Sequence, residues 1–143
     1  HASAERAICG QGLVDLHRAL LQLDGVNAPA LSAASISEAG VSGQDAHCHE
    51  ALTLFCAFLG TAAGNLALTL GARGGLYVGG GIVPRLGRWF AASPFRARFE
   101  AKGRFSRYLQ AVPVFVLDPA QSPAFLGAAE ALDTGLPQVG VAG

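Results

Sequence analysis

Residues 51–72 contain no charged side chain. A run so long and so apolar has two homes: the hydrocarbon of a bilayer, or a helix that protein encloses on most of its faces. Within it Gly60 and Gly64 form a G-x-x-x-G spacing, which lets two helix backbones approach closely. Thr53, Thr61, Asn65, Thr69 and three glycines dilute its hydrophobicity. Neither end carries an aromatic belt or a basic bias. The expectation is a buried helix over 44–72 whose small residues admit a close neighbour, and no membrane association.

The rest of the composition points the same way. The chain has 143 residues, enough for one domain or a large piece of one; 51% are apolar and 14% charged, a balance that gives a buried core and not a disordered chain. Ten basic residues cancel ten acidic ones, so no overall field attracts nucleic acid. Arg85, Arg88, Arg96, Arg98, Lys102, Arg104 and Arg107 do cluster among aromatic residues. With Glu100 inside the cluster and Phe95 four residues before Phe99, it reads as amphipathic helix with a solvated face, and no nucleic-acid partner is expected. Cys9, Cys48 and Cys56 are an odd set without framework spacing, which fits a reducing, cytoplasmic compartment. Residues 1–6 offer no apolar signal core, and the absence of any methionine suggests a chain cut from a longer parent.

Local patterns predict a helix over 5–23, interrupted by Gly10 and Gly12, with Leu13, Leu16, Leu20 and Leu23 on one stripe. A small-residue connection follows, with a short helix at 35–39. A strand runs into Gly79, Gly80 and Gly81, and Pro84 suits the first turn of the next helix. Ser93-Pro94 starts a further helix that Gly103 ends. The β-branched run 112–118 reads as a buried strand. Ser122-Pro123 starts a last helix in which Phe125, Leu126, Ala129 and Leu132 share a face. Residues 133–143 read as a tail or linker. Strand–helix alternation behind a helical first half is the α/β class.

The glycine triplet carries the clearest chemical signal. A strand that ends in several glycines and opens a helix exposes backbone N–H groups with no side chain in the way. A dinucleotide fingerprint needs a small residue where Pro84 stands, and no G-x-x-x-x-G-K loop exists. A ligand-free structural turn is the alternative. His47, Cys48, His49 and Cys56 have the look of a metal cluster. However, His47 and His49 point apart on a helix, and only His49 and Cys56 could share a face, so no metal is expected. His17 is expected at the surface.

Gly74-Gly75-Leu76-Tyr77-Val78-Gly79-Gly80-Gly81-Ile82-Val83-Pro84-Arg85, with Gly64-Asn65-Leu66-Ala67-Leu68 before it, closely resembles the adenosine segment of bacterial glucokinases. Ser3-Ala4-Glu5-Arg6-Ala7-Ile8-Cys9-Gly10-Gln11-Gly12-Leu13 is similar to another segment of that family, with Cys9 in place of the usual Ser and Gln11 in place of the usual Pro. Phe95-Arg96-Ala97-Arg98-Phe99-Glu100-Ala101-Lys102-Gly103-Arg104-Phe105, Val112-Pro113-Val114 and Phe125-Leu126-Gly127-Ala128 resemble its closing stretches. The match runs in order from His1 to about Leu132.

The resemblance implies a ribonuclease-H-like (actin-like ATPase) α/β fold. Residues 1–132 would be the C-terminal part of the large lobe, helix-rich with a few strands. It further implies ATP-dependent phosphorylation of glucose to glucose 6-phosphate by the parent enzyme, with Mg²⁺ bridging the phosphates. Gly79, Gly80, Gly81 and Ile82 would hold the nucleotide, and Glu5 would be a sugar ligand. Read from the residues alone, a Glu in a first helical turn is usually a partner of the helix dipole. The family's D-G-G-T-N phosphate loop and its Asn-Asp pair, which holds the general base, do not occur in this sequence. The base is therefore expected upstream of His1, and the fragment alone is expected to be inactive. Glucose, ATP, the missing N-terminal lobe and a second copy in a homodimer are the partners implied. A non-catalytic sugar- or nucleotide-binding regulatory module on the same scaffold is the alternative.

Overall fold

The computed structural model of the chain describes residues 3–117 and 123–134. Helix α4, Ala46–Leu70, is the axis around which the other elements gather. It forms because 25 residues pass without a proline between a cap and a stop. The Asp45 carboxylate accepts the Cys48 N–H at 2.8 Å, and Gly71 takes the left-handed conformation (φ 62°) at the far end. By length and composition α4 could cross a bilayer. In the fold it is a core helix: Ala51, Leu52, Phe55, Cys56, Gly60, Ala63, Gly64 and Ala67 are buried under neighbouring helices.

Helices α1, Ala4–Ala7, and α2, Gly10–Leu23, precede it, followed by α3, Ala33–Ser42. Gly10 and Gly12 begin α2 and do not interrupt it; the break is at Ile8 and Cys9, and the Cys9 sulfur accepts the Gly12 N–H at 3.4 Å. The buried face of α2 holds Leu13, His17 and Leu21, whereas Leu23 is 81% exposed. The expectation of a surface His17 is thus corrected: the ring is 4% exposed. Helix α3 is longer than the short helix expected, running between a Ser32 side-chain cap and a left-handed Gly43.

After α4, strand β1, Leu76–Val78, leads through the glycine turn to α5, Val83–Leu86, α6, Arg88–Ala92, and α7, Phe95–Glu100. Helix α7 ends at Ala101, before Gly103, and a 3-10 turn leads into α8, Ser106–Gln110. Strand β2, Val114–Val116, returns parallel to β1, with Leu76 opposite Val114 and Val78 opposite Val116. Phe115 and Val116 are each 44% exposed, so β2 is not the buried strand expected. Helix α9 covers Pro123–Thr134. Asp118, Ser122 and the tail from 135 onward lie outside the described residues, as do the side chains of Phe125 and Leu126. Of the face expected on α9, Ala129 and Leu132 are exposed.

Helix α7 lies across α4 and makes the most extensive contact in the fold. Phe99, wholly buried, stacks on Phe95 with ring centroids 6.1 Å apart. The cationic cluster is partly structural. Arg96 pairs with Glu100 and donates to the carbonyls of Val112 and Gln110, each at 2.9 Å, tying α7 to the approach of β2. Lys102 Nζ donates to the Thr61 carbonyl at 3.0 Å and to Asn65 Oδ1 at 2.6 Å. The Tyr108 hydroxyl donates to the Ala72 carbonyl at 2.8 Å, fixing α8 to the end of α4.

Burial under these helices pushes the Cys56 thiol up from an ordinary 9.0 to about 11. Below pH about 9 the thiol is neutral in both folded and unfolded chains, and its contribution is fully present. Above that the unfolded chain loses a proton that the folded chain keeps, and stability is lost as pH rises through about 11. Between pH 9 and 11 the denaturation midpoint should fall less steeply for Cys56→Ala than for the wild type. Parallel slopes would contradict this.

Candidate functional site

Strand β1 delivers the chain to Gly79, Gly80 and Gly81, all of which are exposed. Gly80 has φ 102°, a region open to glycine and strained for other residues. Gly81 does not lie in that region, and a Cβ built on it meets no atom within 4 Å. Neither backbone shape nor packing within this chain therefore demands glycine at position 81. A ligand approaching the main chain would.

The turn borders two grooves. The larger, about 590 Å³, lies between α3 and the start of α5. Ala33, Ala34 and Val41 face Ile82 and Leu86 across it, and Ser37, Glu38 and Arg85 supply polar groups. The size and the mainly apolar lining suit a flat organic group fixed by a few polar contacts. The smaller groove, about 400 Å³, sets Ile8 and Cys9, between α1 and α2, and Gly10, the first residue of α2, opposite the glycine turn, with Phe55 and Leu59 of α4 beneath. Ile82 and Gly81 belong to both grooves.

Glu5 lies on exposed α1, three residues before this smaller groove, and is not part of its lining. Its position is set by close packing behind it. A Cβ on Gly12 would stand 2.2 Å from the Arg6 carbonyl oxygen and 2.7 Å from the Ala7 carbonyl carbon. Only glycine at the start of α2 lets α1 fold back so tightly.

The other residues singled out as candidates disperse. His47 Nε2 bonds Asp24 Oδ2 at 2.9 Å, and His49 Nδ1 bonds the Gly40 carbonyl at 3.0 Å with its ring edge-on to Trp89. Cys56 is buried elsewhere along α4. Sequence reasoning missed the α3 wall with Ser37 and Glu38. The signal for it was present in Ser32, a helix cap, and Gly43, a helix stop, which together bound a helix over 33–42.

A family model described as Glucokinase matches residues 1–135. A glucokinase of Chromobacterium violaceum is 59% identical over 129 residues, covering 90% of this chain and 37% of that protein. One of Aromatoleum aromaticum is 55% identical over 136 residues, 95% of this chain and 41% of the relative. The crystal structure of a glucokinase from an Antarctic psychrotroph superposes with a TM-score of 0.81 at 40% identity, over 94% of this chain and 42% of that one. The chain thus spans about two fifths of the length of the relatives it matches. With a family match across nearly its whole length, the chain belongs to the glucokinase family.

Proposed function

We propose that the protein containing this chain transfers the γ-phosphoryl group of ATP to the 6-hydroxyl of glucose, in the cytoplasm. In this reading residues 1–132 are the C-terminal part of the large lobe of a ribonuclease-H-like kinase. The two-stranded parallel sheet supports that reading: among the described residues neither β1 nor β2 has a second neighbour, and an isolated pair is marginal by itself.

The observation that carries the nucleotide assignment is the glycine at position 81, with open space where a Cβ would stand and both grooves at its border. The adenine is assigned to the larger groove between α3 and Ile82, against apolar side chains, with Glu38 and Ser37 as polar neighbours. Bare main chain at Gly79, Gly80 and Gly81 lets the adenosine come close. ATP supplies the phosphoryl group, and Mg²⁺ accompanies its phosphates; we assign the ion no ligand in this chain. We assign the sugar to Glu5, whose carboxylate accepts hydrogen bonds from ring hydroxyls and so fixes the hexose for in-line attack. The base is assigned to the portion of the protein outside this chain.

The test is glucose phosphorylation by the full-length protein. Glu5→Gln keeps the shape and removes the charge. A charge-assisted bond contributes about 1.5–3 kcal/mol, so kcat/KM for glucose should drop by roughly 10- to 150-fold with the KM for ATP little changed. An unaltered kcat/KM for glucose removes Glu5 from the site.

A further inference from the structure

The motif His47-Cys48-His49 drew attention as a metal cluster, but both of its histidines are engaged elsewhere. Folding brings a different set together. His17 from the buried face of α2, Asp45 at the cap of α4 and Cys48 in its first turn place one ligand atom each within 4.8 Å of one another. Two of the three are desolvated: Cys48 is 0% exposed and His17 4%. The His17 ring makes no hydrogen bond among the described residues, and the charge it faces is the Asp45 carboxylate. An imidazole nitrogen with no protein partner keeps its lone pair available for an ion. This one points into a cluster of a thiol and a carboxylate.

We propose that His17, Asp45 and Cys48 form a binding site for a borderline divalent transition metal, with zinc the best chemical fit. Sulfur, nitrogen and carboxylate oxygen are the donor set that zinc accepts, at about 2.0–2.3 Å from each. Ligand atoms on such an ion lie about 3.3–3.8 Å apart, so side-chain rotations close the present spacing. Asp45 caps Cys48 through Oδ1, and a carboxylate has lone pairs to spare for a metal. Half-buried Asp45 is also the side open to solvent, which gives the ion a way in. On coordination the Cys48 thiol proton leaves to solvent and the sulfur binds as thiolate. Three protein ligands leave a fourth position for water. The ion would tie α2, whose first residue faces the glycine turn, to the start of the central helix. This site is independent of the kinase reading.

The experiment strips the full-length protein with a chelator and titrates it with Co²⁺, which reports a bound thiolate by a sulfur-to-cobalt charge-transfer absorption. The expected result is one such site per chain, with the absorption displaced by Zn²⁺. Cys48→Ala should abolish the absorption. His17→Gln and Asp45→Asn should each weaken Co²⁺ binding by at least about tenfold. Asparagine is as good a helix cap as aspartate, so the Asp45 variant folds and keeps the result decisive should Cys48→Ala not fold. Cys9→Ser should leave the spectrum unchanged. Wild-type protein without the thiolate absorption, or an absorption unaffected by the Asp45 and His17 variants, overturns the assignment.

Discussion

Gly60→Ala should destabilise the protein by about 2 kcal/mol, and the Gly60→Ala, Gly64→Ala pair by more, although alanine is the better helix former. The two effects oppose each other, which gives the test its force. Propensity alone would raise stability by roughly 0.5–1 kcal/mol for each replacement. Packing argues otherwise. A Cβ on Gly60 would stand 2.2 Å from the Phe95 carbonyl oxygen, and one on Gly64 2.5 Å from the Phe99 carbonyl oxygen. Real Cβ contacts essentially never fall below 3.0 Å, and both obstacles are main chain, which no side-chain rotation relieves. Helix α7 would have to lift off α4, exposing the buried Phe95 and Phe99 and loosening the bonds from Lys102 to α4. The measurement is the denaturant midpoint of the full-length protein. An unchanged or raised midpoint would mean that α7 does not lie on these glycines.

That contact also shows what the sequence could and could not disclose. The charge-free run, its aspartate cap and its glycine stop made α4 legible, and the G-x-x-x-G spacing announced a close approach. It did not announce the partner, because a small-residue stripe is only one half of a contact, and α7 is a six-residue helix with little periodicity of its own. The first helix was read only in part for a related reason. Leu13, Leu16 and Leu20 of its stripe pack on the core, but Leu23 is exposed, and the most buried face runs Leu13, His17, Leu21, where a polar ring in the core defeats a reading by hydrophobicity. The glycine turn was legible as a place without side chains. The groove beside it was not, because its other wall, α3, comes from a distant and compositionally plain segment. Burial of strand β2 was overestimated because an apolar run does not reveal which face the fold leaves uncovered.

Gly81→Phe should raise the KM for ATP by at least about tenfold, equivalent to about 1.4 kcal/mol, while leaving the folding midpoint within about 0.5 kcal/mol of wild type. The separation follows from the local geometry. Nothing in the chain lies within 4 Å of a Cβ at this position, and its backbone is not in the left-handed region, so a side chain costs the fold little. The same side chain would project beside Ile82, where the two grooves meet, and occupy the space assigned to adenosine. Gly80 cannot serve, since φ 102° would strain any replacement and mix a folding defect with a binding one. Gly74 provides the control: it too is exposed with open space around it, but it borders neither groove, so Gly74→Phe should be silent in both assays. Should Gly81→Phe bind ATP as the wild type does, the nucleotide lies elsewhere and the glycine turn is only a turn. Should it instead unfold the protein, the open space beside the turn is filled by the part of the protein outside this chain, and the adenine cannot rest there.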